Sequence, residues 1–419
     1  MTSTRLPSPK NLFVYIVPPS TCEMVLAGRL EIDTQVAAEN TSRFEYEHSY
    51  VSRPDAVPLD PVELYTVSEG TFMSRHGNAL FGALRDATPD AWGRAVIDRI
   101  LCDTASEIGY LLQSPDDRMG AVVFGQSRLP PPPKTHFNSF TDLERLMKVA
   151  DAIHEGSVAN VDLLQRFATS MGGARPKTVV ELEGSLWLAK FSKPNDRYDV
   201  ARIEHATMRL AAECGIDVAH TRTISIGERS ILLVKRFDRE LTDRGWLRHR
   251  MVSALTVIQG AENEHSNWSY VRLADRIRQF GSAEGRDRAQ LFRRIAFNML
   301  VNNDDDHPRN TAMISDANQG WRLSPAYDLV PKPVLSQERY LAMEVGIAGR
   351  IATRQNLLSQ CQRFGLNIPT AEAIVEEIRS IIERRWYDIF RESGVPEADC
   401  EAVRGAMLNP GFEWKAEPA

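Results

Sequence analysis

The chain has 419 residues, enough for two or three domains or one large two-part unit, and its 43% hydrophobic and 25% charged content is that of an ordinary soluble protein. With 50 basic against 56 acidic residues the formal charge is −6, which excludes a global basic field for nucleic acid, so any DNA contact is expected to be local or made by a partner. Five scattered cysteines (Cys22, Cys102, Cys214, Cys361, Cys400) without Cys-x-x-Cys spacing argue against a disulfide framework or a zinc site, and the lack of an apolar leader at Met1–Lys10 or a spanning apolar run points to a cytoplasmic protein with no membrane partner.

Leu12–Val17 reads as a strand, and Cys22–Ile32 and Ser42–Val51 as further strand-like pieces, so residues 1–135 are expected to form a β-rich N-terminal subdomain. In Leu80–Arg94, Thr88 can cap a helix with Pro89 in its first turn and Asp90 near its positive end, which puts Trp92, Val96 and Ile100 on one face. Pro130–Pro133 reads as a stiff linker, and Phe140–Ile153 has helical periodicity with Ser139 or Thr141 as its cap.

Residues 136–237 are expected to form a second segment. Gly172 and Gly173, in the small-residue loop Ser170–Thr178, let backbone amides approach a phosphate, with a hairpin turn as the alternative. Ser185–Phe191 reads as a strand carrying Lys190, which at 17 positions past Gly173 can reach phosphates as a point charge. Glu204 lies 14 residues further, in the helix-like stretch Ile203–Cys214, as a carboxylate to hold that lysine or as an exposed helix charge. Ser230–Arg239 reads as a buried strand running into charged residues, the place of a hinge offering backbone groups to adenine; Arg236, Asp238 and Arg239 themselves read as structural.

Residues 238–419 are expected to be mostly helical, including a long amphipathic helix over Thr370–Arg391. Arg244, Arg248, His249 and Arg250 around Trp246 read as a solvated charged loop, with a partner surface as the alternative. The stretch Asn302–Asn310 carries the chemistry. It follows the apolar helical run Leu291–Val301 and precedes the strand-like Thr311–Ile314, so Asp304, Asp305 and Asp306 would sit on rigid supports. Asp305 precedes Asn310 by five positions and Asp328 lies 18 beyond Asn310, the spacing of base and metal ligands in a kinase catalytic loop. Asn310 and Asp328 offer the hard oxygens that Mg²⁺ prefers, and His307 suits an orienting role better than ligation of a transition metal. The competing reading of the acidic triplet is a solvated turn.

Taken together, Phe81–Arg94, Gly172–Lys177, Arg236–Arg239, Asn303–Asn310 and Leu323–Asp328, in this order and at these distances, resemble the HipA family of bacterial toxin kinases. The resemblance covers nearly the whole chain. It implies a two-lobed, kinase-like α/β fold, with ATP and Mg²⁺ used to phosphorylate Ser or Thr of a protein, typically an aminoacyl-tRNA synthetase, in a toxin–antitoxin system linked to persistence. It also implies Asp305 as catalytic base, Asn310 and Asp328 as metal ligands and Lys190 as the phosphate-binding lysine. Gly172, Gly173, Ala174, Arg175, Pro176 and Lys177 would cover the phosphates, with His307 close by, and Val234, Lys235 and Arg236 would flank adenine.

The same resemblance makes Ser170 a self-phosphorylation site, where two added negative charges beside an anion-binding loop would silence the protein. A HipB-like antitoxin would supply the DNA contact, with the chain as a homodimer in that complex. Two other function classes stay open: a catalytically idle co-repressor, and a phosphotransferase acting on small-molecule hydroxyls.

Overall fold

The structure is a computed structural model that describes residues 11–19, 21–33, 41–75, 79–132, 137–155, 175–315 and 320–414. They belong to two units. Unit 1 takes the described residues of Met1–Trp187 together with Asp238–Val252; unit 2 takes Leu188–Phe237, Ser253–Ser315 and the described residues of Gly320–Ala419. The passage between them falls inside a strand, at Trp187–Leu188, and Pro130–Pro132 lie within unit 1.

Unit 1 is built on an antiparallel sheet of β1 (Asn11–Ile16), β2 (Val25–Asp33), β3 (Thr41–Tyr46), β4 (Thr71–Met73) and β5 (Val122–Gly125), in the order β4-β3-β2-β1-β5. Alternation sends Leu12, Val14, Leu30, Phe44 and Tyr46 into one core with Leu59, Phe81 and Leu84. Gly28 is required there, because a Cβ would lie 2.4 Å from the Phe44 ring and from the Glu45 carbonyl. The strand expected to run to Val51 stops at Tyr46, and His48–Val51 form a helical turn.

Helix α1 (Ala91–Leu101) is capped by Asp90, whose Oδ1 accepts from Gly93 N at 2.7 Å; Thr88, the expected cap, instead donates its hydroxyl to the Arg85 carbonyl. Trp92, Val96 and Ile97 are buried and Ile100 only partly, since 3.6 residues per turn rotate a strict four-residue series off the core face. Helices α2 (Glu107–Gln113) and α3 (Leu143–His154) follow, and β6 (Lys177–Leu182) turns through Glu183 and Gly184 into β7 (Ser185–Phe191), which runs on into unit 2.

Asp238 and Arg239 are structural, as expected. Arg239 Nη1 donates to Asp238 Oδ2 at 2.8 Å, and the same oxygen accepts from Gly120 N at 2.9 Å. Arg248 is no solvated loop residue. It sits in β11 (Gly245–Arg248), paired with β10 (Arg239–Thr242), and binds both carboxylate oxygens of Asp116 at 2.8 and 2.6 Å.

In unit 2, β8 (Thr221–Ile226) and β9 (Arg229–Lys235) pair antiparallel with Ile231 opposite Ile224, and the end of β7 lies beside β9. Helix α4 (Val200–Glu213), capped by Asp199, packs on this sheet and on α7 (Ile368–Glu392). Helix α5 (Tyr270–Phe280) and α6 (Glu284–Leu300) pack together, and α6 buries Leu291, Phe292, Ile295, Ala296, Phe297, Met299 and Leu300. The hairpin β12 (Ala312–Ser315) and β13 (Trp321–Leu323) follows the acidic loop, and α8 (Glu397–Arg404) follows α7 near the C-terminal end. Among the described residues no helix is long and apolar enough to cross a membrane.

Candidate active site

The site lies within unit 2. Lys190 near the end of β7 and Glu204 on the first turns of α4 meet because the chain leaves the strand, crosses a short loop and enters a helix that packs back on the same sheet. Lys190 Nζ donates to Glu204 Oε1 at 2.7 Å and to Asp328 Oδ1 at 2.8 Å. Glu204 is therefore no exposed helix charge: it is 4% exposed and committed to the lysine. Burial works against the charge on Lys190, but the two carboxylates outweigh it and hold the ammonium well above the usual lysine range. Asp328 has φ of +60°, the left-handed region that costs a non-glycine residue roughly 1 kcal/mol or more, so the fold fixes this carboxylate against local preference.

The acidic loop starts where α6 ends. Three successive acids meet three different surroundings. Asp304 pairs with Lys332 Nζ at 2.8 Å, while Asp305 is 61% exposed with Oδ2 at 3.9 Å from the same nitrogen. Asp306 is buried, accepting from the Tyr270 hydroxyl on one oxygen and from Ala342 N at 2.7 Å on the other. Below it, Asn298 reaches Tyr270 Oη at 3.4 Å and Asn303 reaches Asn298 Oδ1 at 3.1 Å, a polar network that fixes the loop to α5 and α6.

Asn310 Nδ2 donates to the Asp305 carbonyl at 2.7 Å, which engages its nitrogen and leaves Oδ1 as its donor to a cation. The loop is tied to the segment carrying Asp328 in two places. Tyr327 Oη donates to the Arg309 carbonyl at 2.8 Å; Lys332 N donates to the Asn302 carbonyl at 3.0 Å, and Asn302 Nδ2 returns a bond to the Lys332 carbonyl. His307 accepts from Arg309 N at 3.3 Å through Nδ1, an orienting contact inside the loop.

Of the other residues singled out by the sequence, Ser170, Gly172, Gly173 and Ala174 lie outside the described residues. Arg175 and Pro176 lead into β6. Lys177 is 1% exposed and its Nζ donates to Asp90 Oδ2 at 2.6 Å within unit 1, so its ammonium is engaged in a buried ion pair. Val234 and Arg236 are buried, and Lys235 is exposed with its backbone N–H given to the His220 carbonyl at 2.8 Å. Sequence reasoning missed Lys332, Tyr270 and Asn298. Only the prolines either side of Lys332, which stiffen the segment, hinted that it is fixed.

Burial pushes the Asp306 carboxyl up to about 7 against the bonds from Tyr270 and Ala342, which favour its charge. A carboxyl raised above its unfolded value of 3.8 favours folding below about pH 4, and that contribution is lost as the pH rises through about 7. Asp306→Asn is expected to remove this slope. Between pH 5 and 8 the wild type should lose on the order of 3 kcal/mol that the variant keeps, read from urea unfolding at the two pH values. Equal losses in both proteins would show that Asp306 does not titrate in that range.

Comparison with known proteins bears on the family and the fold. Residues 169–386, just over half the chain, match the HipA-like C-terminal domain. A Haemophilus influenzae protein described as a "Putative kinase" is 31% identical over 163 residues, 36% of this chain and 47% of that protein. "Putative kinase Y4mE" of Sinorhizobium fredii is 30% identical over 198 residues, 42% of this chain and 46% of its own length. The chain thus spans about half the length of these curated relatives. The HipA chain of Shewanella oneidensis MR-1, solved in complex with HipB and operator DNA, superposes with a TM-score of 0.68 over 94% of both chains at 18% identity. That likeness is one of fold, a mixed α/β one. The chain belongs to the family of HipA-like C-terminal domains.

Proposed function

We propose that the chain is a toxin-type protein kinase that moves the γ-phosphoryl group of ATP to a Ser or Thr hydroxyl of a protein target, an aminoacyl-tRNA synthetase. The observation that carries this reading is the Lys190 ammonium held between Glu204 and Asp328, with the Asp305–Asn310 loop tied to the Asp328 segment. Phosphoryl transfer asks of a protein mainly positioning and compensation of charge. Lys190 supplies a fixed cation for the phosphates. Asp305, exposed at the end of a rigid loop, accepts the proton of the attacking hydroxyl.

Asn310 and Asp328 would hold Mg²⁺. Both present oxygen donors, and Mg²⁺ takes one or two protein ligands of this kind with phosphate and water completing its shell. When bound, the ion neutralises charge on the phosphates. Val234–Arg236 flank adenine in this reading, and Ser170 is the residue whose phosphorylation switches the protein off. A HipB-like antitoxin is the partner. The Shewanella HipA was solved with HipB and DNA, and a chain of charge −6 suits DNA contact through a partner.

The test is the intact mass after incubation with Mg-ATP, starting from phosphatase-treated protein. The wild type should gain one phosphate, and Asp305→Asn and Ser170→Ala should not. A wild type that gains nothing and turns over no ATP would put the co-repressor reading ahead.

A further inference from the structure

We propose that Lys332 is a further catalytic residue, an ammonium that contacts the γ-phosphoryl group of ATP beside Asp305. The proposal rests on the kinase reading above and adds the group that meets the transferred phosphate.

Lys190 is engaged by Glu204 and Asp328, and Arg309, the one arginine inside the acidic loop, gives its Nε to Glu262 at 2.6 Å. Lys332 is then the basic side chain that reaches Asp305. Its Nζ lies 3.9 Å from Asp305 Oδ2, and among the described residues no other ion pair involves Asp305. The side chains of Lys332 and Asp305 are 45% and 61% exposed, so both front onto open space while Asp304, 33% exposed, occupies one side of the ammonium. An ammonium has three donors, and Asp304 takes one direction.

A surface Lys–Asp pair contributes little to stability and gives no reason to fix its backbone. Here the backbone is fixed. Lys332 is bonded through both N–H and carbonyl to Asn302 and stands between Pro331 and Pro333. Partial burial disfavours its charge, but the bond to Asp304 and the fields of Asp305 and Asp306 more than offset this and keep it a cation at working pH. A preorganised cation placed where charge develops is the arrangement that lowers the barrier of a charge-moving step.

In that step the acceptor oxygen forms a new bond to the γ-phosphorus as the bond from that phosphorus to the bridging oxygen breaks. The electron pair leaves on the β-phosphate of ADP, and the hydroxyl proton passes to Asp305. Lys332 meets the equatorial oxygens of the phosphoryl group in flight, and the same contact makes ATP bind more tightly than ADP.

Lys332→Met should weaken Mg-ATP binding about tenfold while changing Mg-ADP binding less than twofold, both read by calorimetry, and should slow single-turnover transfer about 100-fold. Lys332→Arg should recover most of both effects. Asp304→Asn, which releases the ammonium, should raise the preference for ATP over ADP; if Lys332 serves only to hold Asp304, this variant copies Lys332→Met instead. ATP and ADP affinities that move together in Lys332→Met, or do not move, overturn the proposal. A wild type that binds ATP but transfers no phosphate sinks the kinase reading alone, because the ratio of ATP to ADP affinity still reads the lysine. A wild type that binds neither nucleotide overturns both.

Discussion

Asp305→Asn is expected to lower single-turnover phosphoryl transfer by about 10³ while leaving the melting temperature and the affinity for Mg-ATP close to wild type. The size follows from what is removed: a positioned general base contributes roughly 10²–10⁴ in rate, and an amide of the same shape cannot accept the proton. The absence of a stability cost follows from the surroundings. Asp305 is 61% exposed, its nearest cation is at 3.9 Å, and the contact that organises the loop, from Asn310 Nδ2, goes to its backbone carbonyl, which the substitution keeps. Rapid-quench transfer from labelled ATP, paired with calorimetry of nucleotide binding, separates the two effects. A variant that transfers phosphate within tenfold of wild type would remove Asp305 from the role of base and turn attention to Asp304, the half-buried neighbour held by Lys332.

The acidic loop illustrates how far sequence can be read here. That Asp305 and Asn310 lie together was legible, because five intervening peptide units in one tight loop leave little freedom in where the two ends go. Lys190 and Glu204 were legible for a similar reason, since a strand followed by a helix that packs back on its own sheet brings such positions together. What separates Asp304, Asp305 and Asp306 was not. Three adjacent identical side chains look alike in sequence, yet the backbone sends one to Lys332, one to solvent and one into the network with Tyr270 and Ala342. Lys332 and Lys177 failed to show for the opposite reason. Their partners lie 28 and 87 residues away, and no local pattern sets such distances. In unit 1, β1 and β2 could be read from alternating apolar residues, but the stop at Tyr46 and the burial of Arg248 depend on packing.

Lys190→Met should damage unit 2 in stability as well as chemistry. Its ammonium is the shared partner of two carboxylates whose side chains are 6% and 31% exposed, and removing it takes a bonded cation away from the more buried one, Glu204. Breaking a buried pair by deleting one partner typically costs about 3–5 kcal/mol, and the partial exposure of Asp328 places this case near the lower end, about 3 kcal/mol. The sign with pH is opposite to that of ordinary acid unfolding. Without the ammonium, burial raises the Glu204 carboxyl, so the deficit of the variant should shrink at low pH, where the acid is neutral, and grow as the pH rises. Lys190→Met with Glu204→Gln should then recover about half of the lost stability, because the buried carboxylate that has lost its ammonium is gone, yet it should recover none of the affinity for Mg-ATP, which needs the cation itself. Urea unfolding at pH 5.5 and 8 together with nucleotide calorimetry on the single and double variants measures all of this. If the single variant unfolds like the wild type at both pH values, the Lys190–Glu204 bond is not a structural element of the unit. If the double variant regains ATP affinity, Lys190 does not act on the phosphates.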